Sequence, residues 1–127
     1  MSWAIVSVLI AGLLPVICTG IAKRGFPNYD NHNPRDWLAG QTGKRKRASA
    51  AEANSLEAFP FFAGGMLLAL LARAPIEAVS WLGWVFVFAR VFYIYCYVSD
   101  RAALRSLVWA LGYAITIALY VMAAIYA

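Results

Sequence analysis

The sequence predicts an all-α protein whose four helices cross a membrane as a bundle. Hydrophobic residues make up 63% of the chain and charged residues 13%. A soluble domain carries roughly 45–50% apolar residues and about 25% charged residues. The mean hydropathy of +0.67 indicates that much of the surface faces lipid. Since backbone groups in lipid are satisfied within their own segment and no strand-like alternation occurs, the spanning segments are expected to be helices. The chain is expected to form one integral membrane domain, residues 1–127.

Four apolar runs reach the length of about 20 residues that a spanning helix needs. They are expected to form helices at about 2–22, 47–72, 76–98 and 101–126. The first run is not expected to be a signal peptide, because no positive charge precedes it and no small-residue cleavage site ends it. Ser99 and Asp100 offer an N-cap for the fourth helix.

The basic residues lie on one side of the predicted bundle. Seven of the eleven fall between the first two helices, and the turn between the last two adds Arg101 and Arg105. The distribution predicts that residues 23–46 form a cytoplasmic loop and that both termini lie outside the cytoplasm. The run Lys44–Arg47 adjoins a spanning helix, so its expected partner is anionic membrane lipid and not nucleic acid. The seven are Lys23, Arg24, Arg35, Lys44, Arg45, Lys46 and Arg47.

The loop and the cysteines do not predict a metal site. Asn33 is followed by proline, a pattern typical of a helix start, and a short helix over 34–39 ended by Gly40 is expected. The loop oxygens lack the spacing of an EF-hand. Cys18 and Cys96 form no C-x-x-C motif, and we expect both to be core residues.

Two predicted helices carry polar side chains at depths where lipid cannot solvate them. In the second helix, Arg47, Asn54 and Glu57 fall within one arc of about 80°. The stripe on the third helix has the spacing i, i+3, i+7 and consists of Arg90, Tyr93 and Tyr97. Both stripes are therefore expected to face the interior of the bundle.

Glu57 and Arg90 lie at similar depth, on the order of 12–15 Å from the cytoplasmic ends of their helices. Unpaired, each would cost at least ~2.5–3.5 kcal/mol near a helix centre. Two explanations are open. The residues form an ion pair that locks the bundle, with Asn54 bridging helices by hydrogen bonds, or they line a water-accessible pocket open to the cytoplasm.

These residues resemble the motifs of a known membrane family. Arg47-(x6)-Asn54-Ser55-Leu56-Glu57-Ala58-Phe59-Pro60 resembles the second helix of the MAPEG family, the membrane-associated proteins in eicosanoid and glutathione metabolism. Arg90-x-x-Tyr93-x-x-x-Tyr97 and Leu104-Arg105 resemble its third helix and the start of its fourth. The resemblance covers nearly the whole chain. Asn33-Pro34-Arg35 is similar to the bacterial branch, which implies a bacterial inner membrane.

The resemblance implies a homotrimer that binds glutathione as a cofactor in clefts between its subunits. It implies that Arg105 is the catalytic residue that stabilises the thiolate, a role that suits a guanidinium because the free thiol is mostly protonated at neutral pH. Lipophilic small-molecule substrates would arrive through the bilayer. The residues that it assigns to glutathione binding are Arg47, Asn54, Glu57, Arg90, Tyr93 and Tyr97.

Two functions are open on the sequence. The first is a glutathione-dependent transferase or peroxidase acting on lipophilic electrophiles or lipid hydroperoxides. The second is a non-catalytic lipid-binding or scaffold protein, because Ala50 stands where glutathione-using members usually have arginine and Ala58 where leukotriene-forming members often have tyrosine. Arg47, one turn from Ala50, is the candidate to replace that arginine. A small transporter is disfavoured, because the chain has no inverted repeat and no helix broken at its centre.

Overall fold

The structure, a computed structural model, describes residues 2–24 and 28–127, and most of these residues are helical. Within these residues, four helices are long and apolar enough to cross a membrane. The predictions of an all-α fold and of four spanning helices are confirmed. The helices are α1 (Trp3–Lys23), α2 (Pro34–Ala39), α3 (Gly43–Leu71), α4 (Ile76–Val98) and α5 (Ala102–Tyr126).

The segment between α1 and α3 is shorter than predicted, because α3 begins at Gly43 and not near residue 47. Lysine and arginine are good helix formers, so the basic run Lys44–Arg47 forms the first turns of α3 and does not belong to a loop. The predicted short helix is present as α2 and ends at Gly40. Residues 25–27 of the predicted loop lie outside the described residues.

A carboxylate organises the chain just before α2. The backbone N–H groups of His32 and Asn33 donate to Asp30 Oδ1 at 2.9 and 3.3 Å. The bond from His32, followed by those from Asn33, holds the pKa of Asp30 below its ordinary value of 3.8. These bonds form a turn that leads the chain into α2.

Ser99 and Asp100 end α4 and do not cap α5, which corrects the predicted N-cap. Asp100 has φ 61°, and the N–H of Arg101 donates to the carbonyl of Cys96 at 2.8 Å. This is the pattern of a helix that ends in a left-handed residue. Because Ser99 and Asp100 are used in this way, α5 starts at Ala102 without a side-chain cap.

The four spanning helices form a bundle in which α3 and α4 are the central pair. Each of these two contacts the other and also contacts α1 and α5. The rings of Phe62 and Phe86 stack between α3 and α4 with centroids 3.8 Å apart. Cys18 and Cys96 are buried and free, as predicted. Because α3, α4 and α5 all contact one another, their inner faces enclose a space between these three helices.

Candidate functional site

Arg90 places a positive charge in the interior of the bundle. Only 4% of its surface is exposed. Its Nη2 donates hydrogen bonds to Asn54 Oδ1 and Ser55 Oγ of α3, both at 3.0 Å. The guanidinium also lies over the ring of Tyr93, 4.1 Å from the centroid. The contacts that hold this cation are therefore two neutral oxygens and an aromatic face.

Glu57 and Arg90 line the same cavity but form no ion pair with each other. The contacts that join α3 to α4 here come from Asn54 and Ser55. Among the described residues, neither Nη1 nor Nε of Arg90 has a hydrogen-bond partner. One part of the bundle-locking explanation is therefore confirmed, because Asn54 bridges α3 and α4. The other part is wrong, because Glu57 forms no ion pair with Arg90.

Aromatic rings connect Arg90 to the start of α5. Tyr93, which is buried, meets Tyr97 edge to face with centroids 5.7 Å apart. The guanidinium of Arg105 lies 4.3 Å from the centroid of the Tyr97 ring. The four residues Arg90, Tyr93, Tyr97 and Arg105 form what we call the cation–tyrosine ladder.

Arg47 lies at the end of this ladder and does not line the cavity. Its Nε donates to the carbonyl of Val98 at 3.2 Å. That carbonyl belongs to the last turn of α4, where acceptors have no partner within the helix and a cation is favoured. Arg47 therefore fastens the start of α3 to the end of α4, next to Tyr97.

The cavity beside Arg90 has a volume of about 190 Å³ and lies between α3, α4 and α5. Asn54, Glu57 and Arg90 are among its lining residues. Glu57 is exposed on the surface of the single chain, so the cavity opens sideways. The remaining lining is mainly apolar or aromatic and consists of Ala58, Phe61, Phe86, Trp109, Gly112, Tyr113 and Thr116. Such a cavity suits a ligand with an anionic group and an apolar part.

Sequence reasoning gave no role to Ser55 or to the aromatic wall on α5. Ser55 follows Asn54 directly and lies about 100° further around the helix, outside the predicted stripe. Arg90 reaches both residues because Nη2 carries two hydrogens. Trp109 and Tyr113 stack 5.2 Å apart. Their i, i+4 spacing was the available signal, but spacing alone does not show which helix they face.

A family model described as the MAPEG family matches residues 3–125. The match includes all seven predicted site residues and every spanning helix except the last residue of α5, Tyr126. No curated protein and no solved structure matches the chain.

Proposed function

The chain belongs to the MAPEG family, and from this premise we propose that it is a membrane-embedded, glutathione-dependent transferase or peroxidase acting on lipophilic electrophiles or lipid hydroperoxides. The cavity beside Arg90 is the proposed site, and glutathione is the proposed cofactor. A cavity lined by both charged and aromatic side chains suits the joining of a charged thiol compound to an apolar substrate.

The observation that carries this proposal is a buried cation whose contacts are neutral. Arg90 is 4% exposed, and it contacts Asn54, Ser55 and the Tyr93 ring. A buried charge without a counter-charge is unfavourable, and an anionic ligand would remove that penalty. Glutathione carries carboxylates, which can accept a charge-assisted hydrogen bond from Nη1 or from Nε. Such a contact contributes about 1.5–3 kcal/mol, roughly a tenfold to hundredfold gain in affinity.

The open side of the cavity supports a site shared between subunits. At about 190 Å³ the cavity is smaller than the roughly 300–1,000 Å³ typical of small-molecule sites. Glu57, Phe61 and Tyr113 are all exposed on its outer side, and a carboxylate facing acyl chains is costly. A second subunit packed there would cover Glu57 and enlarge the cleft. We propose the homotrimer that is typical of the family.

Each polar residue has a part in the proposed reaction. Arg90 binds a carboxylate of the ligand, and Asn54 holds the guanidinium in position while Glu57 accepts a hydrogen bond from the ligand. Bound glutathione supplies the nucleophilic thiol. Arg105, oriented over the ring of Tyr97, stabilises negative charge on sulfur, because a nearby guanidinium lowers the free energy of the anion. The aromatic wall binds the apolar substrate.

The same geometry suggests an orientation in the membrane. Arg47 and Arg105 lie at the end of the bundle where α3 and α5 begin, and the basic segment between α1 and α3 lies at that end too. We propose that this end faces the cytoplasm across a bacterial inner membrane, with both termini on the other side.

A second function, non-catalytic lipid binding or scaffolding in the same cleft, is favoured by two alanines. Ala58 lines the cavity, where a methyl group makes the wall more apolar, and Ala50 removes a cation from the same face of α3. The nearest cation, Arg47, already binds the carbonyl of Val98. This function predicts that fatty acid or phospholipid co-purifies in the cleft and that glutathione does not bind.

Titration of the purified protein with glutathione tests the proposal. The ultraviolet absorbance of the thiolate should rise on binding, and Arg105→Gln should abolish this signal while the oligomer keeps its size. Arg101→Gln is the matched control, because Arg101 carries the same charge near the start of α5 but is not part of the ladder. Its guanidinium lies 6.0 Å from the centroid of the Tyr95 ring. Absence of glutathione binding at millimolar concentration, with lipid retained in the cleft, would contradict the enzyme and support the second function.

A further inference from the structure

A groove runs along the outer surface between α1 and α4. Its volume is about 460 Å³, and none of its lining residues lines the Arg90 cavity. Ile17 and Val91 in its walls are 54% and 48% exposed. Each wall is an apolar stripe with the spacing i, i+3, i+7; the two stripes are Leu14, Ile17 and Ile21 on α1 and Val91, Ile94 and Val98 on α4. The groove therefore offers two parallel aliphatic walls to a chain lying along the helices.

The groove leads into a basic hollow at the end of the bundle where α3 begins. This hollow, also about 460 Å³, is lined by Arg24, Thr42, Lys44 and Arg45. Ile21, Lys44 and Val98 line both the groove and the hollow. The aliphatic walls and the cations thus form one continuous surface.

The charges in the hollow have one sign. Arg24 and Lys44 are exposed, and no described residue that lines the groove or the hollow is acidic. The first turn of α3 also contains no acid, although a helix N-terminus favours negative charge and disfavours lysine and arginine. An anion in the hollow would offset the repulsion among these cations and between them and the helix dipole.

We propose that this surface binds a phospholipid with an anionic headgroup. The phosphate lies with Lys44 and Arg24, and an acyl chain lies between α1 and α4. A lipid is the occupant because the hollow continues into exposed aliphatic walls, which a free phosphate would leave uncovered. The site is separate from the glutathione cleft, so it does not depend on the proposed reaction.

Native mass spectrometry of the full-length protein tests the headgroup contact. The protein is equilibrated with equal amounts of phosphatidylglycerol and phosphatidylcholine of identical acyl chains. We expect the unmodified protein to retain phosphatidylglycerol preferentially, and Arg24→Gln with Lys44→Gln to reduce that preference more than tenfold, since each cation near an anionic headgroup contributes about fivefold. Lys46→Gln is the matched control, because Lys46 is exposed in the same turn of α3 but lines neither the groove nor the hollow.

A second pair of variants tests the acyl-chain contact without changing charge. Val91→Trp should fill the groove and reduce retention of phosphatidylglycerol. Val85→Trp, on the same helix and also exposed, should leave retention unchanged. Circular dichroism and the size of the oligomer identify any variant that fails to fold.

Three results would overturn the proposal. The first is equal retention of the two lipids by the unmodified protein. The second is a loss of preference with Lys46→Gln as large as that with Arg24→Gln and Lys44→Gln together, which would indicate diffuse attraction to the basic run. The third is unchanged retention in a folded Val91→Trp protein.

Discussion

Replacing Arg90 by methionine distinguishes a ligand-binding role from a bundle-locking role. Arg90→Met removes the cation and its hydrogen bonds to Asn54 and Ser55. The acceptors left behind cost about 1–3 kcal/mol, because Asn54 lines the cavity and can be hydrated while Ser55 can donate to its own helix. Removing a charge from the membrane interior stabilises the folded protein by at least ~2.5–3.5 kcal/mol. The free energy of unfolding should therefore fall by no more than about 0.5 kcal/mol, the difference between the largest cost and the smallest gain.

Glutathione affinity should respond much more strongly to Arg90→Met. Loss of a charge-assisted contact of about 1.5–3 kcal/mol lowers affinity roughly tenfold to hundredfold. Isothermal titration of the purified protein measures the affinity, and thermal unfolding in detergent measures the stability. Arg101→Met is the control, because Arg101 is exposed and lines no part of the cavity.

Either of two outcomes would refute this reasoning. One is unchanged glutathione affinity in a folded Arg90→Met protein. The other is a loss of about 3–5 kcal/mol in stability, the amount expected when one member of a buried ion pair is removed. That loss would mean that Arg90 is paired with an acid and locks the bundle.

Two further predictions concern the fold. Gly65→Val should destabilise the bundle by about 1–3 kcal/mol, because a Cβ at that position would lie 3.0 Å from the ring of Tyr120; Gly20→Ala, with nothing within 4 Å, is the control in thermal unfolding. Lowering the pH should loosen the turn before α2: the folded pKa of Asp30 is depressed, so its contribution is complete above the unfolded pKa and is lost as the pH falls through the folded one. The protection factor of the His32 amide measures this, and Asp30→Asn should remove the pH dependence.

The helices and their inner faces were predictable because lipid imposes strong constraints on a chain. A polar side chain in a spanning helix is costly in lipid, and the stripes at Asn54 and Arg90 identified two helices that contact each other. Glu57 of the same stripe as Asn54 does not face the interior of the single chain but is exposed on its surface. The start of α3 was less predictable. Hydropathy marks where a helix enters lipid, but helix propensity decides where it begins, and Lys44–Arg47 continues the helix beyond the apolar run.

The partners within the site were not predictable from spacing. Helical periodicity gives the direction of a side chain on its own helix, but not the rotation of one helix relative to another. Arg90 therefore bonds to Asn54 and Ser55 instead of Glu57, although depth and charge favoured Glu57. Ser99 shows the same limit locally, because its sequence fits both the end of one helix and the start of the next.

A structure determined with glutathione present tests the central claim most directly. The claim is that Arg90 forms an anion-binding site in the interior of the bundle and that a neighbouring subunit completes the cavity beside it. We predict a glutathione carboxylate that accepts a hydrogen bond from Nη1 or Nε of Arg90, with the sulfur directed toward Arg105 in a cleft between two chains. A cleft that holds an acyl chain or remains empty at saturating glutathione, or a carboxylate of the protein paired with Arg90, would contradict it.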